Sequence, residues 1–454
     1  MKRFLCFVFL VALLTAGGML FLSRSEPAPE YEGRPITSWI ADLASSDYEI
    51  HNKAAGAVEA VGPEAVPFLV RALRRKETAL MRAWASVAGR FPLLRLQRVD
   101  QSLLREKAAE QLGLVRGQGG VVVPVLIAAL QDDHLNVSSE VQRALRRIGL
   151  VSLPPLAQAL RHPDARIRQR SAEVIGDFGY AAKSAVPALS SALQDPNEGV
   201  RTSAARALGA TSGGDETAID ALILGLGDLA VAVRTAASGS LGLLGPFAKA
   251  SVPALCRGLN DPDAGARVAA AKALWLVDGQ TDRVVPVLTD ALKDPRVGWQ
   301  ASFVLGEIGP AASGAAPALI AALKQERVPS ALRAPPSSAI ALGRIGRTAV
   351  PGLIRTLQDG QPSVRTSAAI ALGLMGVQAE QAIPELVKLL NDPDREVRQA
   401  SVLSLGAIGP LTKELVPALV RMMRDEDIFL RSMASAALQR IDPAAAADAR
   451  TVTE

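Results

Sequence analysis

Aromatic side chains are scarce in this 454-residue chain: Trp, Tyr and Phe together make up 4% of it. So few bulky rings, in a chain whose apolar set is dominated by Ala and Leu, argue against a thick globular core and for thin layers of closely packed helices. Cysteine is scarcer still. Cys6 lies in a hydrophobic N-terminal segment and Cys256 stands alone in an apolar stretch, so the body of the chain can form no intrachain disulfide framework. A thiolate zinc site is excluded with it, and Cys256 reads as a small core filler. The histidines are His51, His134 and His162, none in a His-Glu or His-x-x-x-His arrangement. There is no Gly-x-x-x-x-Gly-Lys-Ser/Thr loop and no Gly-x-Ser-x-Gly elbow, which removes the familiar phosphate-cradling and nucleophile signatures. No metal, cofactor or catalytic residue is expected.

The net charge of +5 is not spread along the chain. Arg71, Arg74, Arg75, Lys76, Arg82, Arg90, Arg95 and Arg98 face Glu77 alone between residues 71 and 98, and the remainder is slightly acidic. A local basic cluster does not make a nucleic-acid-binding protein, and no nucleic acid is expected.

What the chain has in abundance is one phrase, repeated. It runs Ala-Val-Pro-Ala-Leu, then Ala-Leu-x-Asp-Pro, then Val-Arg-x-x-Ala-Ala-x-Ala-Leu-Gly-x-Ile-Gly. Its proline recurs at 124, 154, 187, 253, 286, 317, 351, 384 and 417, with Asp220 in one proline slot. A period of about 33 residues means stacked supersecondary units, each touching only its neighbours. Each unit reads as two helices. Around Pro187, Val186, Leu189 and Leu193 give helix A one apolar stripe, and Pro187 sits in its first turn, where a missing N–H costs little. Asp195 is expected to cap helix B, with Pro196 at its first position. Val200, Ala204, Ala207 and Leu208 form the apolar face of helix B, and Gly209 with the Gly-rich turn after it is expected to end it.

The Asp of that turn is followed six residues later by Arg, again and again: Asp195/Arg201, Asp228/Arg234, Asp261/Arg267, Asp359/Arg365, Asp392/Arg398 and Asp425/Arg431. Each Arg could reach its own or its neighbour's Asp, making a structural ladder rather than a catalytic device.

This pattern resembles HEAT repeats, in particular the short, Ala-rich, phycobilin-lyase-like type common in bacteria, over roughly residues 35–442. The resemblance implies an all-α fold, an α-α superhelix (HEAT-repeat solenoid) of about twelve units, with one hydrophobic N-terminal helix and no β-sheet. Deoxyhypusine hydroxylase, a HEAT-repeat enzyme, holds iron through repeated His-Glu pairs, and this chain has none. Tyr31 to Trp39 (Tyr-Glu-Gly-Arg-Pro-Ile-Thr-Ser-Trp) is similar to the lead-in of membrane-tethered or secreted bacterial HEAT proteins. Trp39 is placed on the apolar face of the first helix, and His51 where Arg usually sits. Residues 443–454 read as a frayed tail.

The first 24 residues read as a signal anchor. Phe4 to Leu22 carries no charge, and at about 1.5 Å per residue it spans close to 30 Å, enough for a bilayer core. Lys2 and Arg3 favour a cytoplasmic N-terminus. The repeats then lie outside the cytoplasm beyond a linker at 25–34, with a secreted or periplasmic protein after signal cleavage as the alternative.

Three departures from the period carry positional information. Pro67 and Pro124 are 57 residues apart, so about 24 extra residues lie near 75–98, with helix B of that unit at about Asp100 to Leu114. The insertion gathers Arg82, Trp84, Arg90, Phe91, Arg95 and Arg98, a candidate surface for an acidic partner or anionic lipid. The unit at Pro286 is two residues short and sets Gly298 and Trp299 where the Arg belongs; Trp299 either fills space or anchors a partner. In the next unit Pro329, Pro335 and Pro336 replace the turn and delay helix B to Pro335 onward. The function expected is that of a non-enzymatic extracytoplasmic scaffold binding a protein or peptide. The alternative implied by the resemblance is a bilin-lyase-like or chaperone-like protein acting on a prosthetic group and its client, and a HEAT-type DNA glycosylase ranks third.

Overall fold

The computed structural model describes residues 28–75, 100–115, 117–326, 334–408, 416–425 and 427–445. The N-terminal segment, the insertion with its six candidate residues (Arg82, Trp84, Arg90, Phe91, Arg95 and Arg98), and the end of the tail lie outside these. The chain divides into two compact units, Met1–Gly213 and Gly214–Glu454.

Both are built from helix pairs, twelve among the described residues. The N-terminal unit holds Ile36–Asp42 with Tyr48–Val61, Val66–Leu73 with Gln101–Leu114, Gly119–Ala129 with Leu135–Ile148, Leu153–Ala159 with Ala165–Asp177, and Val186–Ala192 with Glu198–Thr211. The C-terminal unit holds Glu216–Gly225 with Val231–Leu244, Val252–Gly258 with Ala264–Asp278, Thr281–Ala291 with Gly298–Ile308, and Ala316–Leu323 with Ser337–Ile345. It continues with Val350–Thr356 and Pro362–Met375, Ile383–Lys388 and Arg395–Ile408, and Val416–Met422 and Ile428–Ile441. Helix B of the second pair begins at Gln101, capped by Asp100, as the count back from Pro124 requires.

The punctuation differs from the sequence expectation at two places. Asp195 does not cap helix B; Asn197 does, its side chain accepting the Val200 N–H at 3.2 Å, while Asp195 accepts the Asn197 N–H at 2.8 Å in the turn before it. Gly209 itself lies inside helix B, Glu198–Thr211, while the Gly-rich turn after it, with Gly213 and Gly214 at φ 56° and 91°, follows the helix end as expected. In other repeats the equivalent glycine sits inside the helix where the next helix B presses close. A Cβ on Gly113 would stand 2.7 Å from Ala144 Cα, and one on Gly406 would stand 2.9 Å from Ala437 Cβ. The turn itself is made by the second glycine of the phrase, as at Gly245 (φ 56°), which opens a 3-10 stretch leading to a helix A with Pro253 at its second residue.

The core is Ala, Leu, Val and Ile, and among the described residues Trp39 and Phe68 are its aromatic members. Trp39 belongs to an end cap the sequence reading did not foresee. Glu30–Tyr31 and Arg34–Pro35 pair as a two-stranded antiparallel ladder, so the fold is not free of β-structure. Glu32 and Gly33 turn it at φ 50° and 71°. Trp39 Nε1 donates to the Tyr31 carbonyl at 3.1 Å, and the Arg34 guanidinium lies 4.0 Å above the indole while bonding Asp42 at 2.7 Å. The hairpin thus covers the open end of the first pair, where a solenoid must shield its last layer. The apolar run Gly298–Leu323, half buried, is long enough to cross a membrane by length and composition. It is two repeat helices broken at Gly309 (φ 69°) and Ala312.

Candidate interaction surface

The Asp/Arg pairs form a ladder, in a geometry that separates the two ends of each arginine. Arg234 sends Nη1 to the backbone carbonyls of Asp228 and Leu229, at 2.9 and 3.1 Å, closing its own turn. Its Nε and Nη2 grip both oxygens of Asp261 in the following repeat, at 2.6 and 2.8 Å. Arg105 with Asp132, Arg168 with Asp195 and Arg365 with Asp392 repeat that carboxylate grip. Arg201, Arg267, Arg398 and Arg431 make the same carbonyl contact, to Asp195, Asp261, Asp392 and Asp425. So the partner six residues back gives its carbonyl, and the partner 27 residues on gives its carboxylate. The bidentate fork suits guanidinium and fixes both distance and orientation between layers. The hydrogen bond from Arg234 holds the Asp261 carboxyl below its ordinary range against the opposing effect of burial. At Asp195 burial raises and the Arg168 bond lowers, and the lowering prevails.

Where the period breaks, other side chains step in. Ser138 occupies an arginine slot, and the Asp132 carbonyl instead receives Arg170 Nη1 at 3.1 Å. Asp359 is met by Lys324 Nζ at 2.6 Å. Asp294 turns back to its own Arg296, whose hydrogen bond brings the carboxyl down to about 2. After the proline-rich break, Glu326 accepts the Ser338 N–H at 3.1 Å and caps the delayed helix Ser337–Ile345.

The histidines serve turns one at a time: His51 Nδ1–H donates to the Leu43 carbonyl, and His162 Nδ1 accepts the Asp164 N–H. Cys256 is half-buried rather than a core filler, and takes a hydrogen bond from Arg283 at 3.4 Å. Among the described residues no cluster of His, Cys, Asp or Glu could hold a metal.

With the turn edge and the helix seam committed, the outward face of helix B remains. Its two most exposed columns lie five and nine residues after the ladder arginine. In the N-terminal unit the face is charged: Lys107 pairs with Glu110 at 3.0 Å, Arg146 with Asp177 at 2.8 Å, and Arg143 and Arg147 with Glu140. Burial pushes the Glu140 carboxyl up despite the two arginines. In the C-terminal unit the same columns carry Leu243, Leu276, Phe303, Ile340, Leu374 and Leu403, all exposed, with Leu243 at 77% and Leu374 at 52%. They lie on six successive B helices, Leu243, Leu276 and Leu374 in one column and Phe303, Ile340 and Leu403 in the other, an apolar ridge flanked by Lys272, Glu307 and Arg344 in the same columns. Lys272 bonds Glu307 at 2.8 Å and lies 5.2 Å from the Phe303 ring, tying adjacent layers across it.

Trp299 is 59% exposed and does not fill space. It precedes Phe303 by four residues on Gly298–Ile308, so the two rings share one helix face. The sequence reading singled out Trp299 by its position in a short repeat but missed the ridge, whose signal appears only when the B helices are aligned column by column.

Comparison with known proteins agrees with this architecture. The family model described as HEAT repeats matches residues 153–242, 219–299, 252–334, 337–406 and 383–449. No curated protein matches the chain. Among solved structures, an importin beta is similar at 13% identity and a TM-score of 0.57, over 89% of this chain and 55% of that one. Yeast importin-beta (Kap95p) is similar at 13% identity and 0.55, over 88% and 55%. This chain therefore spans about half the length of those proteins, and at such identity the likeness is one of fold. With the repeat geometry and the family match in agreement over most of its length, the chain belongs to the HEAT-repeat family.

Proposed function

We propose that the protein is a non-enzymatic scaffold that binds a protein partner on the outward B-helix face of its C-terminal unit. The observation that carries this is the apolar ridge from Leu243 to Leu403. Contiguous exposed apolar surface of this kind marks an interaction site, whereas scattered single residues would not. The fold is that of binding solenoids. One similar structure, at a TM-score of 0.51 and 12% identity over 88% of this chain and 48% of that one, is Kap121p bound to Nup53p. Trp299 and Phe303 supply aromatic anchors at the middle of the ridge, the residue type that dominates binding energy at interfaces.

The location belongs to the same proposal and is supported by sequence alone. Phe4 to Leu22 behind Lys2 and Arg3 would hold the protein in the membrane with the repeats outside the cytoplasm. The basic insertion, with Arg82, Arg90, Arg95 and Arg98, would rest on anionic head groups. Fractionation with external protease in spheroplasts tests the location, since a fully protected protein refutes export. A photo-crosslinking residue at Leu374 should yield a discrete protein adduct that is absent when the same group is placed at the exposed position Ser191. Equal labelling at both positions refutes the ridge as the binding face.

A further inference from the structure

A separate feature of the N-terminal unit carries a second site. The glycine that lets B helices approach each other (Gly113, Gly176, Gly242, Gly306, Gly373, Gly406) is replaced in the first repeat by Glu59. There a cleft of about 1210 Å³ opens between Tyr48–Val61, Gln101–Leu114 and the end of Leu135–Ile148. It exceeds the roughly 300–1,000 Å³ of small-molecule sites, so it suits a segment of several residues.

The two ends of the cleft differ in chemistry. One wall is the Asn52, Gly56 and Glu59 face of the first B helix, residues spaced four and three apart. A Cβ on Gly56 would meet nothing within 4 Å, so this wall is open. The other end is electropositive. Gly119 and Gly120 begin the eleven-residue helix Gly119–Ala129, whose cap residue Gln118 offers no side-chain hydrogen bond. Val121 and Val122 give their amides to the Gln118 carbonyl, at 3.0 Å each, and Gly119 and Gly120 set the positive end of the helix dipole against the cleft. Gly119 packs on Val151 and Ile148, next to Arg147. Arg147 reaches Glu140 with one nitrogen at 3.3 Å and keeps 36% of its side chain exposed.

Gln111 supplies an independent pointer. It lines the cleft, is only 6% exposed, and has no hydrogen-bond partner among the described residues. What little of its side chain is accessible lies in the cleft, so its amide is available to a ligand there.

We infer that this cleft binds the apolar C-terminal end of a polypeptide, with the terminal carboxylate at the Gly119–Gly120 amides and Arg147. Gln111 and Asn52, which both donate and accept, pair with peptide groups of the bound backbone. A fatty acid would satisfy the carboxylate end but offer nothing to the Gln111 amide, which favours the peptide.

The purified full-length protein tests this by fluorescence anisotropy with a labelled hexapeptide ending Ala-Val-Leu-Leu and a free carboxylate. Amidating that carboxylate should weaken binding at least tenfold, and Arg147→Gln should do the same for the free peptide but not for the amide. Gly56→Leu, placed in open space, should block both peptides while leaving the thermal transition unchanged. Equal affinity for acid and amide overturns the proposal, as does absence of peptide binding, or displacement of the peptide by laurate at comparable concentration. A ridge variant, Leu374→Glu, should bind the peptide unchanged, so failure here and failure at the ridge are separable.

Discussion

Replacing Arg365 by Ala should weaken one layer of the stack by about 3 kcal/mol, and the structure says why it should be one layer only. The substitution removes two hydrogen bonds to the Asp359 and Gly360 carbonyls, at 2.8 and 3.3 Å. It also strips Asp392 of its bidentate partner, leaving a carboxylate only 8% exposed with the Asp394 N–H at 2.9 Å. Breaking a buried pair from one side costs about 3–5 kcal/mol because the other charge stays behind. Here 12% of the arginine and 6% of the aspartate side chain remain accessible, which argues for the lower end. Arg267 is the internal control. It bonds the Asp261 and Pro262 carbonyls at 2.8 and 3.2 Å, and among the described residues no carboxylate pairs with it, because Asp294 has turned to Arg296. Arg267→Ala should therefore cost about 1 kcal/mol, the worth of its carbonyl contacts. Stability in a solenoid is a sum of nearest-neighbour terms. Hydrogen exchange of Arg365→Ala should accordingly speed up in Val350–Thr356 to Arg395–Ile408 and stay unchanged in Leu153–Ala159 and Ala165–Asp177. Equal costs for the two arginines, or loosening spread over the whole chain, would refute the ladder as the agent that couples layers.

Acid should dismantle the ladder. Asp195 and Asp261 have carboxyls held below their ordinary value, so their contribution is complete above about pH 5 and is lost as pH falls through and below about 4. Circular dichroism against pH should show Arg234→Gln with a flatter acid limb; an unchanged limb counts against the assignment. Gly113→Ala should destabilise by about 1–3 kcal/mol, since its Cβ would press on Ala144 backbone. Gly239→Ala, with nothing within 4 Å, should stabilise by about 0.5–1 kcal/mol through helix propensity, and urea melts of the pair read the contrast. Trp299→Ala should leave stability within about 0.5 kcal/mol while weakening partner capture; a loss of 2 kcal/mol would show that the ring is packed after all.

Much of this fold could be read from the chain because its elements are set by local, repeated chemistry. Proline at the start of helix A, an Asp-Pro turn and a terminal glycine each act within a few residues, and the period multiplies the signal. The displaced helix Gln101–Leu114 was placed correctly because Arg105 and Gly113 keep their spacing across an interruption. What escaped was whatever depends on the neighbouring repeat. Sequence spacing put Asp195 at a cap, but the carboxylate is claimed by Arg168 of the preceding layer and the cap falls to Asn197. Gly209 looked like a terminator because two glycines end the phrase, and only close contact between B helices tells the two apart. The hairpin over Trp39 was missed because strands of two residues have no period to detect. The ridge was missed because its residues are 27 to 37 apart in the chain.

The division of labour among the faces of a repeat explains why a binding surface can arise on this scaffold without loss of stability. The turn edge is fixed by guanidinium, carboxylate and carbonyl; the seam between B helices is fixed by glycine and alanine; the interior is filled by small aliphatic side chains. The columns five and nine residues past the arginine have no part in any of these. In the N-terminal unit they carry the paired charges of Glu110, Arg147 and Asp177 beside Leu114, and in the C-terminal one each of six successive helices has one exposed apolar residue in them, with Lys272, Glu307 and Arg344 alongside. One exposed leucine carries no message, since more than half of any protein surface is apolar. One on each of six successive helices, with Trp299 one turn before Phe303 on the same helix, is a recurring pattern and not scatter. The contrast between the units is what supports the proposal of a partner's footprint on the C-terminal one. It also separates binding from folding, since a charge placed at Leu374 should abolish the first and leave the second intact.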